Sequence, residues 1–327
     1  MRILAIAGLT TLTLGLGAHA ATAEPPGETA KDRPLAHHVP AKFAAGGDYW
    51  TPERMRAAQP LTAPADTADA TTEKATPYAI GNQVNIAPTP RTFPAAVPFG
   101  PSVAEQQTWN AGGLIAKTAG KVFGTGGNGN DFVASGTVVT SADGDVIVTV
   151  GHALIDNEGR WSSNLVFVPA YKNGTAPYGK FVARTSFIWS GYYKDGAHQP
   201  PLDFGMLVVK PVNGKTPLQA VGGQGIRFNS RAEGTSNLLL GYPNNGNGGK
   251  TLQYCGGKSV TPAYGMKYAL VCDMGGGSSG GPWFQDFDKR TGSGHVISAH
   301  ALRNSTTSYG AYFGPEALKT FRAAEAA

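Results

Sequence analysis

From about Ala111 onward the chain consists of short runs rich in Val, Ile, Tyr and Thr, broken by Gly, Asn or Asp at intervals of roughly ten residues. β-Branched and aromatic side chains suit a pleated, half-buried surface, and this punctuation suits tight turns, so the texture confines the chain to an all-β fold. Residues 132–139, 145–150, 165–169, 206–209, 238–242, 268–272 and 295–300 read as strands, with Ala142-Asp143-Gly144 as a turn between the first two. Sandwich and barrel both satisfy this pattern. Residues 314–322 are the exception: Pro315 and Glu316 open a helix there, with Leu318 and Phe321 facing inward.

Upstream the texture differs. Met1-Arg2, the mostly apolar run 3–17 and the small residues around Ala18-His19-Ala20-Ala21-Thr22-Ala23 read as a signal peptide over 1–23, which implies an exported protein with no membrane association after cleavage. Residues 24–110 are dominated by Ala, Pro and Thr, show little apolar periodicity, and read as a largely irregular pro-region or linker. One island, 49–58, carries Thr51 as an N-cap and Pro52 at the first helical position. A helix docked through Trp50 and Met55 and a solvated turn in a discarded segment are both open readings.

Composition matters for what it excludes. The formal charge of +5 is modest and no basic block with interleaved aromatics occurs, so nucleic acid is not an expected partner. The two cysteines, Cys255 and Cys272, fit one disulfide in an exported protein better than a metal site. His37-His38 and the scattered Asp residues offer no convergent ligand set; no metal and no cofactor are expected.

The strongest chemical signal is Gly277-Ser278-Ser279-Gly280-Gly281-Pro282. A serine nucleophile must project its hydroxyl while neighbouring amides point at a developing oxyanion, and glycine permits that backbone; Ser279 is the candidate nucleophile, with the amides of Gly277 and Ser279 as oxyanion donors. A plain Gly-Ser turn has the same composition, so company decides. The run 146–150 leads into Gly151-His152-Ala153, placing an imidazole at the end of a strand, where its neutral form can take a hydroxyl proton near pH 7. Asp203 stands among apolar residues at the mouth of the strand 206–209, and a buried carboxylate needs a partner such as that imidazole. The chain order is His152, Asp203, Ser279, one of the three orders known for such triads.

With these residues in place, the mature part, about 111–327, resembles the trypsin-like serine peptidases, in particular the bacterial branch of V8-like glutamyl endopeptidases. The likeness rests on Ala134-Ser135-Gly136-Thr137, Thr149-Val150-Gly151-His152-Ala153, Asp203-Phe204-Gly205, Gly241-Tyr242-Pro243 and the Ser279 loop. It implies two antiparallel six-stranded β-barrels with a C-terminal helix, divided as 111–212 and 213–327, with the junction near 210–225. It also implies a serine endopeptidase acting on protein or peptide substrates through an acyl-enzyme. The signal peptide makes it secreted, a monomer is the default expectation, and the change of composition near 100–111 marks the expected cleavage of a zymogen, removing an inhibitory or chaperoning pro-region.

Departures from the family pattern are informative. Ala134 and Ala153 stand where many relatives pair two cysteines, and Ser278 stands where trypsin carries the aspartate of its activation switch, so activation must differ. By the resemblance the specificity pocket involves 273–276, 298–303 and 309–312, with Asp273, Gly276, His300 and Arg303 as substrate-binding candidates. Asp273 would favour a basic P1 side chain; His300 and Arg303 would favour an acidic one. A catalytically silent trypsin-like binding protein and a serine esterase are the rival readings.

Overall fold

The computed structural model describes residues 32–40, 46–62, 81–89, 103–194, 197–230, 235–260, 266 and 268–327; the expected signal peptide lies outside them. In chain order the strands are β1 (Pro34–His38), β2 (Gln59–Pro60), β3 (Val84–Ile86), β4 (Val103–Thr108), β5 (Ala119–Thr125), β6 (Asp131–Val138), β7 (Val146–Thr149), β8 (Ser163–Pro169) and β9 (Phe181–Trp189). They continue with β10 (Tyr193–Lys194), β11 (Ala197–His198), β12 (Gly205–Val209), β13 (Gly225–Phe228), β14 (Ser236–Gly241) and β15 (Gln253–Lys258). The last are β16 (Tyr268–Val271), β17 (Pro282–Asp288), β18 (Ser293–Arg303) and β19 (Thr307–Gly310). Helices are short: α1 (Gly46–Tyr49), α2 (Pro52–Ala57), α3 (Ile115–Thr118), α4 (Pro217–Val221), α5 (Asn244–Asn247), and the longer α6 (Pro315–Glu325).

Six antiparallel strands, β9-β12-β7-β6-β5-β8, form a closed barrel because β8 pairs back onto β9. All four residues of β7 are buried, which is why its sequence is a continuous β-branched run. The second sheet runs β16-β19-β18-β17-β14-β15-β4, with β13 joined in parallel to β18. It is fastened differently from the first: among the described residues no ladder joins β15 to β16, and the Cys255–Cys272 disulfide links them instead, with Cα atoms 5.8 Å apart. The expected pairing of these cysteines is present.

The described parts of 24–110 are more ordered than the composition of that stretch implies. β1 pairs with β9, β2 with β6, β3 with β13 and β4 with β15, so four pieces of it extend the two sheets. Short strands of this kind have little pattern of their own because a sheet edge supplies their hydrogen bonds. Of the two readings of the island 49–58, docking is what occurs. The Thr51 side chain caps α2 by accepting the Arg54 amide, Pro52 starts it, and Trp50 and Met55 are buried. The terminal helix α6 packs on β1, β9 and β12 of the first sheet as well as on β13, with Phe321 buried beside Phe228.

One buried charge has a measurable consequence. Lys121 of β5 is 4 % exposed and rests on aromatic faces, its Nζ lying 4.4 Å from the Tyr171 ring centre. Burial lowers its pKa to about 8. The unfolded chain therefore binds the extra proton between about pH 8 and 10.5, and stability rises with pH through that window. A depression of this size corresponds to about 3 kcal/mol, and attraction to the rings returns about 1 kcal/mol. Lys121→Met is expected to raise the unfolding free energy by about 2 kcal/mol at pH 7, the gain vanishing near pH 10.5. Urea unfolding at several pH values checks this.

Candidate active site

The register of the first barrel brings His152 and Asp203 together. Gly205 of β12 pairs with Thr149 of β7; His152 lies three residues after Thr149, and Asp203 two residues before Gly205. A single 3-10 turn at Gly151–Ala153 carries His152 off the strand, and another at Pro200–Leu202 delivers Asp203. Position 151 must be glycine because a Cβ there would lie 2.6 Å from the ring of the buried Tyr192.

Both carboxylate oxygens of Asp203 bind the histidine. Oδ1 accepts the His152 backbone N–H at 2.9 Å, and Oδ2 lies 2.6 Å from Nδ1. An ionised carboxylate only accepts, so Nδ1 carries the proton and Nε2 is left with its lone pair. That Nε2 is buried and has no hydrogen-bond partner among the described residues. Tyr192 closes one side of the pair: burial, reinforced by the negative charge of Asp203, pushes its phenol well above the usual tyrosine range. Its ring stacks on His198.

Ser279 sits on the loop between β16 and β17, held against the first barrel by Ser135 of β6. The Ser135 amide donates to the Ser279 carbonyl at 2.7 Å, and the Ser135 hydroxyl donates to the Gly277 carbonyl at 2.9 Å while accepting the Tyr242 amide. Thr149 Oγ1 donates to the Ser135 carbonyl at 3.0 Å, tying this clamp to the strand that ends at His152. Gly277 has φ +89°, a left-handed conformation that a residue with a Cβ rarely adopts. No hydrogen bond joins Ser279 Oγ to His152 Nε2. The amide of Gly277, the expected oxyanion donor, instead donates to the carbonyl of Leu61 at 2.8 Å.

The expected pocket residues divide into two groups. Asp273 Oδ1 accepts the Gln106 amide at 2.7 Å, and Asn245 bridges the Asp273 carbonyl and the Gly275 amide, so Asp273 braces the loop. Gly276 accepts the Asn244 amide through its carbonyl. His300 of β18 is buried, and its amide and carbonyl bond Gly281 and Gly280 of the Ser279 loop. Its Nδ1 lies 2.9 Å from Ser278 Oγ, which also lies 2.5 Å from the Gly275 carbonyl. Burial is the main cause that lowers the His300 pKa to about 4, and the Arg303 charge adds to it. Arg303 extends beside Gly275, with Nη1 3.2 Å from where a Cβ at 275 would stand.

Sequence reasoning quoted Ser135 only as part of a motif and did not single out Tyr192, Gln106 or Asn245. Their roles depend on register across strands distant in sequence, and no local spacing signals them.

No family model matches the sequence, and no curated protein does. Solved structures do match. The protease Anisep from Arthrobacter nicotinovorans is 33% identical, with a TM-score of 0.61 over 68% of this chain and 100% of its own. The thermostable serine protease AL20 from an extremophilic microorganism is 29% identical, with a TM-score of 0.58 over 65% of this chain and 99% of its own. A Glu endopeptidase solved in complex with MPD shares the fold at 18% identity, with a TM-score of 0.54 over 70% of this chain and 98% of its own.

Proposed function

The chain belongs to the trypsin-like serine proteases, and from that premise we propose that it cleaves peptide bonds with Ser279 as nucleophile, His152 as base and Asp203 as the orienting carboxylate. The observation that carries this assignment is the buried His152–Asp203 pair, which leaves Nε2 unpartnered at the end of the strand that Thr149 ties, through Ser135, to the Ser279 loop.

The steps follow from these positions. Ser279 Oγ attacks the scissile carbonyl carbon as its proton passes to His152 Nε2, and Asp203 stabilises the imidazolium. The carbonyl electrons move onto oxygen, where the amides of Gly277 and Ser279 receive the negative charge. Collapse breaks the C–N bond, the departing amine takes the proton from His152, and an acyl-enzyme remains. Water then repeats the sequence, releasing the acid and restoring Ser279. The purified protein, treated with a fluorophosphonate to completion, is expected to be modified at Ser279. Modification elsewhere would move the nucleophile from Ser279, and none even after limited proteolysis would favour a catalytically silent binding protein.

We assign an acidic preference at P1. Arg303 and His300 flank the loop from Gly275 to Ser278, whereas Asp273 is engaged by the Gln106 amide. The Ser278 hydroxyl donates to the Gly275 carbonyl, which can only accept, so it takes the proton on His300 Nδ1 as an acceptor. Nε2, buried and without a partner among the described residues, then donates to a substrate carboxylate once the ring takes a second proton, a form that the carboxylate's own charge stabilises. His300→Ala is expected to lower kcat/KM for a P1 glutamate by about 10- to 100-fold, the worth of a hydrogen bond to a charged group, and to spare a P1 leucine. Equal losses on matched glutamate and leucine peptides would remove His300 from specificity.

Residues 1–23 serve export, 24–110 form the pro-region of a zymogen, and the mature enzyme acts outside the cell as a monomer. The ordered contacts of 46–62 with the first barrel support a pro-region that stays with the catalytic part until it is cut.

A further inference from the structure

The segment from Trp50 to Thr62 crosses from the first barrel to the nucleophile loop. Its N-terminal half is anchored: Trp50 is fully buried, its indole donates to the Asn164 carbonyl at 2.6 Å, and its carbonyl accepts Lys180 Nζ at 3.0 Å. Met55 and Ala58 are buried on the same side, and Arg54 pairs with Asp131 at 3.1 Å. After α2 the chain becomes extended. β2 pairs in parallel with β6, Gln59 opposite Phe132 and Pro60 opposite Val133.

Leu61 then makes two backbone bonds. Its amide donates to the Val133 carbonyl at 2.8 Å, and its carbonyl accepts the Gly277 amide at 2.8 Å. Pro60 and Thr62 close over the same loop, their carbons 3.4 and 3.0 Å from where a Cβ at Gly276 would stand. The exposed edge of β6 beside the loop and one of the two oxyanion amides are therefore both occupied by the chain itself.

We propose that the site made by Val133 and Gly277 binds the protein's own segment 50–62 as an inhibitor, the Leu61 carbonyl holding the amide that a substrate carbonyl needs. This rests on the reading of Gly277 as an oxyanion donor. Anchoring supplies the effective concentration: with Trp50 and Met55 docked, Leu61 stays close to Gly277 and needs few contacts of its own. The segment is held without being cut because its carbonyl has one amide donor, whereas a tetrahedral oxyanion is stabilised by two.

The full chain carrying Pro60→Gly, Leu61→Gly and Thr62→Gly together tests this, with Leu61→Pro, which lacks the amide that reaches Val133, as an independent variant. These residues are exposed or half-buried, and the anchors remain in place. The readout is the rate of fluorophosphonate labelling at Ser279, since the phosphoryl oxygen uses the same amide, with the thermal midpoint recorded alongside. Both variants are expected to label at least about tenfold faster than the native chain, the factor set by losing backbone hydrogen bonds, at a similar midpoint. Equal rates in all three would overturn the inhibitory role while leaving the hydrolase reading intact. Absence of labelling in every form would overturn both. Native protein found cut between Leu61 and Thr62, but not in a Ser279→Ala chain, would make the segment a substrate and end the proposal.

Discussion

Ser279→Ala is expected to lower kcat for peptide hydrolysis by about 10⁶, the loss seen when the nucleophile of a triad acting as a unit is removed. The size of that number depends on what the substitution leaves alone. Ser279 is held through its backbone carbonyl, which accepts the Ser135 amide, and its hydroxyl makes no hydrogen bond among the described residues. Removing Oγ therefore strips the chemistry without loosening the loop, and the thermal midpoint should stay within about 2 °C of the parent. Ser278→Ala is the informative contrast, because the Ser278 hydroxyl lies within reach of both Gly275 and His300. The two serines are adjacent in sequence but separable: one variant should be folded and inert, the other altered in its pocket. The comparison is made on chains whose segment 60–62 has been loosened, so that access to the site is equal. A Ser279→Ala protein retaining more than about a hundredth of the parental rate would mean that the nucleophile is elsewhere.

How much of this was legible before the structure depends on where the information lies. β7 and β12 are buried along their whole length and their sequences say so, as short runs that are apolar but for the terminal Thr149. The cap of α2 is equally local, a threonine before a proline. β1 to β4 are different: Pro34–His38 or Val84–Ile86 are ordinary strings that become strands because β9 and β13 present free edges to them. The same division runs through the site. His152, Asp203 and Ser279 each carry a local signal, a strand end, a lone carboxylate among apolar residues and a glycine-rich turn. Ser135 carries none; its importance lies in pointing its amide and hydroxyl at two carbonyls more than a hundred residues away. Leu61 was hidden for a related reason, since a backbone carbonyl at the nucleophile loop has no side-chain signature at all.

Asp203→Asn should be the most damaging change after loss of the nucleophile, and the geometry gives the reason. The two oxygens of Asp203 have different duties: Oδ1 accepts the His152 backbone amide, and Oδ2 accepts the proton on Nδ1. An asparagine has only one acceptor oxygen. The backbone amide is a fixed donor that cannot change its protonation, so the amide oxygen must serve it, leaving the NH₂ group to face Nδ1. The ring then accepts at Nδ1 and carries its proton on Nε2, the tautomer that cannot take a proton from Ser279. A fall in kcat of about 10⁴ is expected, the loss found when the carboxylate of a serine–histidine–aspartate triad is amidated. Binding of substrate in the pocket should change little, since Asp203 acts through His152 rather than through His300 or Arg303, so the loss should appear in kcat rather than KM. NMR of the imidazole ring provides the independent check: the proton should sit on Nδ1 in the parent and on Nε2 in the variant. A variant with the proton still on Nδ1 and activity within about tenfold of the parent would show that Asp203 supports the fold around His152 without directing its chemistry.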